Sequence, residues 1–173
     1  MIVLIAGASH TGKTLLAQKL LERYHWPYLS IDHLKMGLIR SGQTALTVFD
    51  DDRLTEYLWP IVREIVKTAI ENDQNLIVEG VYIPFDWEVS FEEPYRKNII
   101  AHWLIMTEAY IQNHFDTILS HACDIEQRMD DSGCTKEQLV RDNLKNLENC
   151  LLFNCKYTLI DEKYEIGESL CPM

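Results

Sequence analysis

No stretch of this 173-residue chain reaches the roughly 18–20 consecutive apolar residues that a membrane span requires. Positive charge is scarce as well. Sixteen Lys and Arg stand against 27 Asp and Glu, a formal net charge of −11, the wrong sign for gripping a phosphate backbone. Neither a membrane nor a nucleic acid is therefore an expected partner. Sixteen basic residues can still gather in one cleft, so the charge limits the partner class without naming a substrate. Cysteines 123, 134, 150, 155 and 171 contain no C-x-x-C pair, which argues against a zinc site and a disulfide framework and for reduced, partly buried thiols. Internal repeats, low-complexity tracts and Gly/Ser- or Pro-rich linkers are missing too, so residues 1–173 read as one domain. With 47% hydrophobic and 25% charged residues, the composition is that of an ordinary globular protein. The apolar start lacks the basic flank of a signal peptide, and a cytoplasmic location is expected.

What is present begins at once. Gly7-Ala8-Ser9-His10-Thr11-Gly12-Lys13-Thr14 fits G-x-x-x-x-G-K-S/T, the spacing of a loop that holds the phosphates of a nucleoside triphosphate. Its setting matches: Met1 to Ala6 is unbroken apolar, as a buried parallel strand requires, and Thr14 to Tyr24 has a helical composition with leucines along one side. Glycines let the backbone curl so that successive N–H groups face phosphate oxygens, and the helix start adds partial positive charge. The candidate nucleotide site therefore runs from Gly7 through Leu15. Lys13 would reach the β- and γ-phosphates, the Thr14 hydroxyl would coordinate Mg²⁺, and His10 would contribute its backbone.

Strand-like runs alternate with helical patterns along the rest of the chain. Trp26 to Ile31 reads as a second strand ending at Asp32, Leu76 to Val81 as a third carrying Glu79, Ile99 to Met106 as a fourth, and Tyr157 to Ile160 as a fifth. Between them, Leu54 to Ile70 carries the strongest helical stripe, with Asp50-Asp51-Asp52 placed to cap it and Pro60 predicting a kink or a later start. A long helix is expected from about Glu108 to Met129, a polar break at Asp130 to Gly133, and a further helix from about Thr135 to Asn154. Such alternation implies an α/β fold, a five-stranded parallel sheet covered on both faces, with ligands bound outside the carboxyl ends of the strands.

The signatures of switches and motors are absent. No N-K-x-D follows, and the single D-x-x-G match, Asp130 to Gly133, sits between helices. ATP is expected over GTP only because the guanine-reading motif is missing. The apolar run that should end in Asp reads Leu-Ile-Val-Glu-Gly instead. These features point to a small kinase. The chain resembles the nucleoside-monophosphate-kinase-like branch of P-loop phosphotransferases, and within it the 2-phosphoglycerate kinases and the zeta-toxin or chloramphenicol-phosphotransferase type. The resemblance is carried by Ile5–Thr14 (IAGASHTGKT), Leu29–Lys35 (LSIDHLK) and Leu76–Pro84 (LIVEGVYIP), roughly the first half of the chain. It implies a strand order of 2-3-1-4-5, an arginine-bearing helical lid over about 107–135, and Mg-ATP-dependent transfer to a hydroxyl or phosphate of a small, anionic acceptor. The chain also departs from relatives of this kind. Leu34 stands where a shikimate-kinase pattern has a second Asp, the D-G-F-P-R of adenylate kinases is replaced by Glu79 to Pro84, and residues 107–156 contain only Arg128 and Arg141 as arginines.

Asp32 is a candidate base for the acceptor hydroxyl or a holder of Mg²⁺-bound water, or else a helix N-cap. Glu79, with Gly80 and Tyr82, is placed to bind the acceptor; Glu79 would alternatively stabilise the phosphate loop or satisfy backbone donors. Lys35 and Arg40 follow Asp32 on the next helix, where they would hold an anionic acceptor. Arg128 would close from the lid onto the transferring group, and Arg141 is a weaker candidate. Tyr82, Trp87 and Tyr95 are candidates for the acceptor pocket or for the core. Two other functions stay open: a nucleoside or nucleoside monophosphate kinase, and a nucleotide-binding regulator without phosphotransfer. The oligomeric state is not legible.

Overall fold

The first strand, β1 (Ile2–Gly7), is buried along its whole length, and the reason lies in its place at the centre of the sheet. A computed structural model describes residues 1–121, 125 and 134–166. Within them five strands, β1, β2 (Tyr28–Ser30), β3 (Leu76–Glu79), β4 (Ile99–Met106) and β5 (Tyr157–Ile160), form one all-parallel sheet in the order β2-β3-β1-β4-β5. The register sets Ile5 beside Glu79 on one side and beside His102 on the other, and Ser30 beside Glu79. Helices α1 (Lys13–Tyr24), α2 (Ile31–Arg40), α3 (Asp51–Glu71), α4 (Glu93–Arg96), α5 (Glu108–Ser120) and α6 (Lys136–Leu152) complete the layers, with a 3₁₀ turn at Trp87–Ser90.

Alternation along β1 divides the core. Ile2, Leu4 and Ala6 pack with Leu54, Leu58, Val62 and Val66 of α3 and with Trp103 and Ile105 of β4. Val3 and Ile5 point the other way, into Leu16, Ala17 and Leu20 of α1 and Ile111 and Ile118 of α5. Strands buried on both faces have no polar side to show, which is why they read as continuous apolar runs.

The elements depart from the sequence reading at their ends. β2 covers only Tyr28–Ser30, because Ile31 already opens α2 and is itself buried. β3 stops at Glu79, after which Gly80 donates its N–H to the Ile5 carbonyl at 3.1 Å. Pro60 neither delays nor divides α3, which runs from Asp51 through it to Glu71. Pro60 is exposed, and burial of Leu54, Leu58, Val62 and Val66 offsets the roughly 3 kcal/mol that an internal proline costs. The helix expected to reach Met129 ends at Ser120, whose hydroxyl turns back to the Thr117 carbonyl at 2.8 Å. The polar break at Asp130 to Gly133, the lid arginine Arg128, and Cys123 and Cys171 lie outside the described residues. Cys150 and Cys155 are thiols outside any disulfide, and burial pushes that of Cys150 up to about 12.

Candidate active site

Three backbone conformations build the phosphate loop, and two of them need glycine. Gly7 has φ +141°, and a Cβ there would sit 2.4 Å from the Leu104 carbonyl oxygen; Gly12 has φ +82°. His10 also takes positive φ, at 63°, so its contribution to the loop includes its backbone shape. The Ala8 carbonyl is gripped twice, by Thr11 Oγ1 at 2.9 Å and by Lys13 Nζ at 2.7 Å. Thr11 and Lys13 are buried, so the loop is closed around the lysine amine. Ser9 is exposed at the crest, and Leu15 lies half-buried in the first turn of α1.

From this loop the site spreads across the sheet ends. Thr14 Oγ1 lies 3.4 Å from Glu79 Oε2, a long contact across the ends of α1 and β3. Glu79 is 2% exposed, so the parallel ladder holds this carboxylate inside the protein beside the loop. Gly80 lets the chain pass close to α2: a Cβ there would stand 2.9 Å from that of Ile31. Asp32 is the second residue of α2, while Ser30 occupies the N-cap position, so the capping alternative for Asp32 does not hold. Its negative charge in the first turn suits the helix dipole.

Asp32 instead starts a chain of contacts. Lys35 Nζ donates to Asp32 Oδ1 and, at 3.2 Å, to Tyr82 Oη; Tyr82 Oη donates to Asp51 Oδ1 at 2.7 Å. Lys35 also lies 5.0 Å from the centre of the Tyr82 ring, in cation–π range. Burial, and then the hydrogen bond to Asp51, raise the Tyr82 hydroxyl well above its ordinary pKa, so it stays protonated and its one hydrogen is committed. Asp50, the nominal cap of α3, reaches back to the Thr47 N–H and hydroxyl, both at 2.8 Å. Asp51, which the sequence reading grouped with the capping run, is thus a member of the site. Its partner is distant in sequence, and no local pattern announces it.

Other candidates fall elsewhere. Arg40 is exposed in the last turn of α2, and Arg141 is exposed on α6 beside Glu137 and Lys145. Trp87 is core, edge-on to Phe91 at 6.2 Å. Tyr95 donates to Glu71 at 2.7 Å, at the opposite end of α3 from Asp51. A residue that the sequence reading missed sits on the loop instead. Tyr164, beyond β5, donates its hydroxyl to the Thr11 carbonyl at 3.1 Å.

Neither a family model nor a curated relative matches this chain. Solved structures do. A protein from Chloroflexus aurantiacus J-10-fl, provisionally named a kinase, is 17% identical and aligns over 96% of this chain and 91% of its own, with a TM-score of 0.55. Shikimate kinase from Bacteroides thetaiotaomicron is 13% identical and aligns over 98% and 91%, also with a TM-score of 0.55. The likeness establishes that the overall fold is shared with those proteins; in this chain it is an α/β sheet in the order β2-β3-β1-β4-β5.

Proposed function

We propose that the chain is an ATP-dependent phosphotransferase that moves the γ-phosphoryl group of Mg-ATP to a hydroxyl of a small metabolite. The observation that carries the reading is the closed loop with a buried lysine amine inside it, Lys13 Nζ on the Ala8 carbonyl at 2.7 Å, together with the Thr14–Glu79 contact at 3.4 Å. The lysine exchanges a carbonyl for phosphate oxygens when nucleotide enters. Thr14 Oγ1 and Glu79 offer the hard oxygen donors that suit Mg²⁺. Among the described residues no group of three or more His, Cys, Asp or Glu could hold a metal alone, so most ligands of the ion would come from phosphate and water. When bound, Mg²⁺ supplies neutralisation of the phosphate charge.

The remaining work is positioning. Asp32 orients the acceptor hydroxyl and takes its proton as the oxygen bonds to the γ-phosphorus and the bond to the bridging oxygen of ADP breaks. Lys35 holds the Asp32 carboxylate in place. The lid role of Arg128 belongs to this proposal through the resemblance alone. Calorimetry of Mg-ATP binding tests the site. Lys13→Ala should lose about 10-fold or more in affinity, the worth of a hydrogen bond to a charged group. Equal affinities in the two proteins would remove the phosphate loop from the reading.

A further inference from the structure

We infer that the acceptor is a neutral or amine-bearing polyhydroxy compound, and not a phosphorylated or carboxylated one. The inference rests on the kinase reading and adds the charge class of its second substrate. An anionic acceptor was expected on the strength of Lys35 and Arg40. Lys35, its side chain only 14% exposed, spends its charge on Asp32 Oδ1 and donates again to Tyr82 Oη at 3.2 Å. Arg40 is exposed five residues further on, in the last turn of α2. Arg53 is 73% exposed and faces Asp50 at 3.5 Å.

Among the described residues, the cluster that joins α2, the segment after β3 and the start of α3 therefore holds two carboxylates, Asp32 and Asp51, and one ammonium. A phosphate or carboxylate brought to Asp32 would meet a net negative surface whose lysine is already engaged. A hydroxyl or an ammonium group meets acceptors instead. Tyr82 adds no donor, because its hydrogen is given to Asp51. A second, independent observation lies one strand away. Ser30, 2% exposed at the end of β2, has a hydroxyl with no hydrogen-bond partner among the described residues. The ladder sets it beside Glu79, which faces Thr14, so this buried hydroxyl stands at the sheet end where the acceptor and the γ-phosphate would meet. Buried polar atoms are seldom left unsatisfied, and a hydroxyl-rich ligand or its bound water answers this one.

The test uses the full chain with Mg²⁺ and ATP, offered three pools of alcohols: uncharged polyols and sugars, amino alcohols and amino sugars, and phosphorylated or carboxylated alcohols. Release of ADP and new phosphate-ester signals in ³¹P NMR are read together. Transfer to the first or second pool, with none to the third, is expected. Transfer to the third pool overturns the charge class and leaves the kinase reading standing. Transfer to no pool overturns the kinase reading and this inference with it. Calorimetry with inorganic sulfate, on protein loaded with Mg²⁺ and a non-hydrolysable ATP analogue, provides a measure that needs no acceptor. No saturable binding is expected, and saturable binding overturns the inference.

Discussion

Thr14 Oγ1 and Glu79 Oε2 face each other at 3.4 Å across the ends of α1 and β3, so the last residue of the phosphate loop and a buried carboxylate share one small volume. On the proposed reading this is where Mg²⁺ binds. Glu79→Gln keeps the shape and removes the charge. It should raise the Mg²⁺ concentration for half-maximal turnover by about 10-fold, the scale of one charge-assisted hydrogen bond. An unchanged magnesium titration would return Glu79 to a purely structural role.

Gly12 and Tyr164 are coupled through space. At Gly12, φ is +82° and a Cβ would come within 1.5 Å of Tyr164 Oη. Tyr164→Phe removes only the donor to the Thr11 carbonyl and should cost about 0.5–1.5 kcal/mol, a fall in Tm of a few degrees. Gly12→Ala should cost more. Adding Tyr164→Ala relieves the clash but leaves a backbone strain of about 1–2 kcal/mol, so the double variant should be more stable than the two single losses add up to. Strict additivity in thermal melts would show that the contact is not formed.

These two relationships mark what the sequence could and could not disclose. The loop was legible because strand, glycines, lysine and helix are neighbours in the chain, and each obeys a local rule. The sheet order came with the resemblance rather than with any pattern of residues. Asp51 was read as part of a capping run, since three acidic residues before a helix satisfy the local rule; its partner Tyr82 lies 31 residues away. Tyr164 and Thr11 are 153 residues apart, and only folding brings them together. The expectation of an anionic acceptor rests on the same local reading. Lys35 is one cation in the sequence, but in the structure its ammonium is already engaged by Asp32.

Acid should destabilise the fold through His102. Burial, and secondarily the charge of Lys156, lower this imidazole from 6.5 to about 4. Its Nε2 lies 2.7 Å from Thr158 Oγ1, joining β4 to β5. The unfolded chain takes up the proton near pH 6.5 while the folded chain resists it until about pH 4, so stability is full above 6.5 and falls as pH drops through that window. The loss between pH 7 and pH 5 should be about 2 kcal/mol in urea melts. His102→Gln keeps a hydrogen-bonding group and removes the titration, and should flatten that slope. An equally steep slope in the variant would assign the effect to carboxylates instead.

Asp32 gives the sharpest test of the chemistry. Its carboxylate lies in the first turn of α2, bonded to Lys35, and not at the N-cap. Replacing it with Asn preserves volume and a hydrogen-bonding oxygen, so the helix and the Lys35 contact should survive. The ability to accept a proton is lost. A positioned base is worth about 10²–10⁴ in rate, and turnover of Asp32→Asn should fall by that order once an acceptor is in hand. Affinity for Mg-ATP should hardly change, because the loop from Gly7 to Thr14 is untouched. A matched pair, Lys35→Met, separates base from positioner. Without its lysine the Asp32 carboxylate is less well held, so activity should fall, but by less than in Asp32→Asn. Normal turnover in Asp32→Asn would dismiss it as the base and turn attention to Glu79, the other carboxylate at the strand ends.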